Sequence, residues 1–148
     1  MYLVSACLLG INCRYDGGCF HKEKLLELAG QGLVIPVCPE QLGGCGTPRQ
    51  PCEICGGIGG DVLDGKCRVI NVNGDDVTGN FISGAIETLK IAEACGIEKA
   101  ILKSRSPSCG YGEIYDGSFS RKTIGGNGVT AELLIRNGIE VISDEDFR

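Results

Sequence analysis

Ten cysteines in 148 residues, with His21 as the only histidine, limit what this chain can become. In a secreted chain of this size so many thiols would form a disulfide framework. The start, MYLVSACLLGINCRYD, shows neither a basic leader nor a small-residue cleavage site, so a reducing, cytoplasmic location is expected. There the same count points to metal binding or thiol chemistry. One histidine rules out an imidazole-built site within one chain, which leaves thiolate-rich zinc or an iron–sulfur cluster.

A length of 148 residues at 43% hydrophobic content closes one core and falls short of two ordinary domains, so residues 1–148 are expected to form a single domain. No window reaches the apolar length of a membrane span. The net charge is −5 and the basic residues form no run, which argues against long nucleic acid but leaves a free nucleobase or nucleoside open. The 24 glycines cluster in Gly17 to Gly18, Gly43 to Gly60 and Gly110 to Gly128, at irregular spacing, and mark loops.

Between those loops the apolar pattern alternates in type. Tyr2 to Ala6 reads as a short buried strand, Lys22 to Ala29 as a helix stopped by Gly30 to Gly32, and Leu33 to Val37 as the next strand. Asp61 to Val72 looks like a small inserted hairpin turning at Asp64-Gly65, with Asn73-Gly74 closing the excursion. Asp76 is placed to N-cap a long helix ending near Cys95, followed by a strand at Lys99 to Lys103. A second long loop, Ser104 to Gly128, precedes a helix at Thr130 to Asn137 and a last strand at Ile139 to Ile142. This alternation predicts an α/β fold: a small Rossmann-like parallel sheet with helices on both faces, an inserted hairpin and long Gly/Cys-rich loops.

Such sheets bind ligands beyond the carboxyl ends of their strands, where connections diverge to opposite faces. Cys7 follows the first strand, Cys38 the second, and Cys109 lies just beyond the third, so segments distant in sequence bring three thiols to one rim. Three thiolates with a fourth ligand make a closed zinc site, whereas three on a 4Fe-4S cluster leave one iron open as a Lewis acid. The alternative for any one of them is a small buried apolar residue. Cys13 is the rival ligand, replacing one of the three or completing a four-cysteine site. Cys52 and Cys55 form the only C-x-x-C and with Cys45 offer either an accessory metal or thiol cluster or incidental thiols of a flexible loop. Cys67 and Cys95 are expected to fill the cores of the hairpin and the long helix; Cys19 has no assigned part.

Glu40 stands two residues past Cys38 across Pro39, where a partly desolvated carboxylate can act as general acid and base. Ser104, directly off the third strand, and Ser108, just before Cys109, are hydroxyls able to bind substrate or relay a proton, or simply to stabilise the turn. Arg14, Asp16 and Arg49 read as loop-locking ion partners, with direct substrate contact as the alternative.

The segments SACLLGINCRYDGG, VCPEQLGG, TPRQP, DVTGNFISGA, AILKSRSPSCG, IYDGSFS and GNGVTAELLIRNGI together resemble a bacterial family associated with thiouracil desulfidase activity, from Ser5 to about Val141. The resemblance implies an enzyme in its short, stand-alone form. It implies a 4Fe-4S cluster held by Cys7, Cys38 and Cys109, whose unique iron takes the sulfur of a thiolated uracil, with Glu40 as acid/base and Ser104 ahead of Ser108 as the serine. The chemistry is a non-redox replacement of C=S by C=O in a small thiolated pyrimidine, free base or nucleoside. Cys45, Cys52 and Cys55 depart from the apolar residues expected in that loop. A non-catalytic sulfur carrier or cluster-binding regulator, and a zinc-bound structural module, are the competing classes.

Overall fold

In the computed structural model, which describes all of residues 1–148, strands and helices alternate along most of the chain. The first strand, β1 (Tyr2–Ser5), runs into a single 3-10 turn at Ala6–Leu8, and α1 (Glu23–Gly30) leads to β2 (Val34–Val37) and the short α2 (Pro39–Leu42). An excursion follows: β3 (Cys52–Cys55), α3 (Gly59–Leu63) and β4 (Arg68–Asn71). The chain then returns through α4 (Thr78–Ala94) to β5 (Lys99–Leu102), makes a second hairpin of β6 (Glu113–Tyr115) and β7 (Thr123–Gly125), and closes with α5 (Val129–Arg136) and β8 (Glu140–Ser143).

The central sheet has the order β2-β1-β5-β8 with every pair parallel, Leu3 opposing both Ile35 and Ala100, and Ile101 opposing Ile142. The two inner strands are apolar without alternation because both of their faces are covered. Leu3, Ala100, Leu102 and Val141 pack against Ala92 of α4 and Ala131 and Leu134 of α5. Val4 and Ile101 pack on the other face with Leu25 of α1. Pro36, which has no N–H to donate, is exposed on the edge strand β2, where a sheet tolerates it. No helix is long and apolar enough to cross a membrane.

The expected parallel sheet with flanking helices is therefore present, but the excursion folds differently from the expectation. The hairpin does not turn at Asp64-Gly65. Those residues end α3, and β4 pairs instead with Cys52–Cys55, a strand within the expected Gly/Cys-rich loop. The pairing is antiparallel, with Ile54 opposite Val69, and both side chains join Phe81 and Ala85 of α4, Val62, Ile114 and Val129 in a subsidiary core. The expected loop from Ser104 to Gly128 contains the β6–β7 hairpin. Asp76 sits one residue ahead of the N-cap of α4, which is Val77, and its carboxylate accepts the Thr78 N–H at 2.9 Å. Cys67 is partly buried against the subsidiary core, whereas Cys95, just past the last turn of α4, is exposed and fills no core.

Close packing of α2 on α4 fixes where the first turn of α2 points. Asn80 Nδ2 donates to the Gly43 carbonyl at 2.9 Å, and a Cβ added at Gly84 would lie 1.9 Å from the Pro39 carbonyl oxygen. The obstacle is backbone, so it cannot swing aside. Gly84→Ala is therefore expected to cost about 2–3 kcal/mol, the upper range for overpacking, read as a lower urea midpoint. An unchanged midpoint would show that α2 and α4 are not held this closely.

Candidate functional site

Connections from β1 and β5, which are neighbours, leave to opposite faces: β1 through α1 to β2, β5 through α5 to β8. Their carboxyl ends open a crevice of the kind such sheets use for ligands. The crevice is bridged at its base, where the Lys103 N–H donates to Ser5 Oγ at 2.9 Å. Above it lies a cavity of about 530 Å³.

Each of the three rim thiols, Cys7, Cys38 and Cys109, arrives at that cavity by a local device. Cys7 lies in the 3-10 turn that ends β1, closed where the Phe20 N–H donates to the Cys7 carbonyl at 2.6 Å. Cys38 precedes Pro39, which disfavours helical backbone at the preceding residue, and it is extended with φ −125° and ψ 100°. Cys109 is carried by the turn after β5, where Ser106 Oγ accepts the Cys109 N–H at 3.0 Å. Cys7, Cys38 and Cys109 thus line one cavity, and Cys13, the rival ligand, is 2% exposed on the same wall.

The four thiols differ in their surroundings. Cys38 Sγ donates to the Cys13 carbonyl at 3.6 Å. Its hydrogen bond with Cys13 and its burial hold Cys38 well above the ordinary thiol range. The Cys38 contact favours the Cys13 thiolate, but a hydrogen bond with Cys7, burial and the Cys7 charge outweigh it and push Cys13 up to about 11. Burial raises Cys109 to about 12, against the pull of hydrogen bonds from the Ser5 and Ser108 hydroxyls. Without a metal, Cys13, Cys38 and Cys109 are therefore neutral at pH 7. No three His, Cys, Asp or Glu side chains meet at a point where one ion would sit.

Glu40, in the first turn of α2, is held by both oxygens. Arg49 Nε donates to Oε1 at 3.1 Å, and Ser108 Oγ donates to Oε2 at 3.1 Å. Arg49 also donates to the Cys13 carbonyl at 2.9 Å, the Gly46 carbonyl at 3.1 Å and Thr47 Oγ1 at 2.9 Å. It is the loop-locking ion partner expected of it, and Arg14 plays that part locally with Asp16 at 3.3 Å. Ser104 also lines the cavity, but its hydroxyl donates to Glu145 at 3.1 Å and accepts from Lys103 Nζ at 2.8 Å. The serine in contact with Glu40 is Ser108, whose Oγ also lies 3.7 Å from Cys109 Sγ.

The C-x-x-C is split by the strand it lies on. Cys52 and Cys55 are three apart on β3 and so face opposite ways. Cys52 lines the cavity, raised to about 12 by burial and then by the Glu40 and Cys45 charges, while Cys55 Sγ donates to the Gly117 carbonyl at 3.6 Å. Sequence reasoning named Arg14 and Arg49, which line the cavity, but missed its other three cations. Lys103, Arg105 and Arg121 line it, and burial lowers Lys103 against the opposing pull of Asp144. The KSRS run after β5 was the available signal for two of them; nothing local marked Arg121.

The chain matches a known family over residues 2–146, described as 2-thiouracil desulfurase. A Bacillus subtilis (strain 168) protein described as uncharacterized protein YbbK is 48% identical over 147 residues, 99% of this chain and 97% of that one. A solved structure described as the [4Fe-4S]-dependent thiouracil desulfidase TudS is 41% identical and superposes with a TM-score of 0.87, covering 97% of this chain and 90% of that one.

The Arg49–Glu40 pair is little exposed, 10% and 15% by side chain. Removing one partner of such a pair leaves an uncompensated charge, so Arg49→Met is expected to lose about 3 kcal/mol in urea unfolding. The double variant Arg49→Met with Glu40→Gln should recover part of that loss. A single variant as stable as wild type would show that the pair is solvated.

Proposed function

The chain belongs to the 2-thiouracil desulfurase family, and from that premise we propose that it is a desulfidase converting the C=S of a small thiolated pyrimidine to C=O at a 4Fe-4S cluster. The balance is thiopyrimidine plus water giving pyrimidine plus hydrogen sulfide, with no net electron transfer. The observation that carries this reading is Glu40, fixed through both oxygens at the wall where Cys7, Cys38 and Cys109 converge.

The residues present fit such a group. Their donors are soft thiols set around a cavity and not at one point, the set a polynuclear cluster takes in preference to a single hard ion. Cys7, Cys38 and Cys109 are assigned as its ligands. When bound, the cluster supplies an iron without a protein ligand, a Lewis acid with affinity for sulfur. Glu40 takes a proton from water as the oxygen adds to the C=S carbon, and returns a proton as the carbon–sulfur bond breaks. Arg49 and Ser108 keep that carboxylate in one rotamer. Ser104, oriented by Lys103 and Glu145, offers a hydroxyl to the substrate from the other wall.

Lys103 and Arg121 are lining cations without a carboxylate partner. They favour a substrate bearing an anionic group, so a phosphorylated thiopyrimidine nucleoside ranks above the free base. A single catalytic domain over residues 1–148 and a cytoplasmic location complete the reading.

Anaerobic reconstitution is expected to give about four irons per chain. Alanine at Cys7, Cys38 or Cys109 should each lower that count, while Cys13→Ala leaves it largely intact; the reverse pattern would reassign the ligands. Glu40→Gln should retain iron yet form uracil from 4-thiouracil, or uridine monophosphate from its 4-thio form, about a hundredfold more slowly. Equal rates would remove Glu40 from the reaction. Absence of any conversion by the loaded wild type would leave the carrier class in its place, and stoichiometric zinc in place of iron would leave the structural module.

A further inference from the structure

Three residues other than glycine hold a positive φ, Arg105 at 60°, Phe119 at 55° and Arg121 at 63°, and all three line the same cavity. Side chains bearing a Cβ avoid this region at a cost of about 1–2 kcal/mol, and it persists only where the surroundings enforce it. Two of the three sit on one short segment, the tip joining β6 to β7.

That tip is gripped from below by β3. Glu53 is buried in the middle of β3 and has no part in the proposed reaction. Its Oε1 accepts the Gly117 N–H at 2.9 Å and the Phe119 N–H at 3.2 Å. Cys55 Sγ donates to the Gly117 carbonyl. Gly117 has φ 92°, and a Cβ there would stand 2.6 Å from the Ile54 carbonyl oxygen, so the tip rests directly on the backbone of β3. The Asp116 N–H donates to the Lys122 carbonyl at 2.9 Å and closes the segment. The backbone at Phe119 is thus set before any ligand arrives, and the residue is half-buried and lines the cavity.

An aromatic residue whose backbone is held in this way offers a face to another flat ring, because the ordering that a mobile loop would undergo on binding is already done. Stacking of a base on an aromatic side chain contributes about 1–3 kcal/mol. We propose that Phe119 is the stacking platform for the substrate's pyrimidine ring and that Glu53 is the positioning residue that sets it. The identity of the ring rests on the desulfidase reading; the platform rests on the tip.

The test is calorimetric binding of 4-thiouridine monophosphate to anaerobically loaded protein, beside KM and kcat for its conversion. Phe119→Ala is expected to weaken binding and raise KM about tenfold with kcat little changed, and Phe119→Tyr to restore both. Glu53→Gln should move KM in the same direction at unchanged iron content. Because Phe119 lies on a hairpin tip, its variants keep the test decisive even if Glu53→Gln fails to fold. Wild-type affinity in Phe119→Ala overturns the platform while leaving the desulfidase reading intact. Binding without conversion by wild type overturns the desulfidase reading and leaves the platform to be judged on affinity. A wild type that neither binds nor converts 4-thiouridine monophosphate overturns both.

Discussion

The guanidinium of Arg49 reaches three segments that the sheet alone does not join: Glu40 in α2, the carbonyl of Cys13 in the loop after β1, and Gly46 and Thr47 in its own loop. Removing water from this corner leaves the Glu40 charge to be satisfied by protein, and Arg49 satisfies it while tethering the Cys13 loop beside Cys38. The turn after β5 is drawn in through the same carboxylate, by Ser108. A site assembled from the ends of β1, β2 and β5 therefore has one electrostatic centre, and it is the carboxylate to which the chemistry is assigned.

The sheet beneath it was legible because burial writes itself into short strands. Leu3, Val4, Ala100, Ile101 and Leu102 have no room for a polar side chain with helices on both faces, and this lack of alternation announced parallel pairing. Parallel pairing in turn placed the residues after β1, β2 and β5 on one rim, which is how Cys7, Cys38 and Cys109 could be grouped before their surroundings were known. The hairpin was misread for a related reason. Asp64-Gly65 has the composition of a tight turn but ends α3, and the true partner strand, Cys52–Cys55, is four residues long with a buried glutamate in it. Its pairing with Arg68–Asn71 spans α3 and is decided by Ile54 and Val69 reaching the subsidiary core.

The partners of the polar groups were hidden by distance along the chain. Ser108 meets Glu40 across 68 residues, and Glu53 meets Phe119 across 66. No local pattern encodes such contacts; they follow from the stacking of α2, the turn after β5 and the second hairpin around one crevice. The C-x-x-C shows the opposite hazard, a local pattern whose meaning depends on its backbone. On a strand, a spacing of three sends the two thiols to opposite faces, one to the cavity and one to the β6–β7 tip. The same spacing that suggests a metal pair here separates wall from support.

The account turns on one location, the crevice beyond β1, β2 and β5, as the seat of both cluster and reaction. Anomalous scattering at the iron edge from crystals of the anaerobically loaded protein tests that location directly. A compact group of iron peaks bounded by Cys7, Cys38 and Cys109, with Glu40 at its open side, is the predicted result. Iron bound instead at Cys45 or Cys55, outside the crevice lining, or a single metal ion in the crevice, would contradict it.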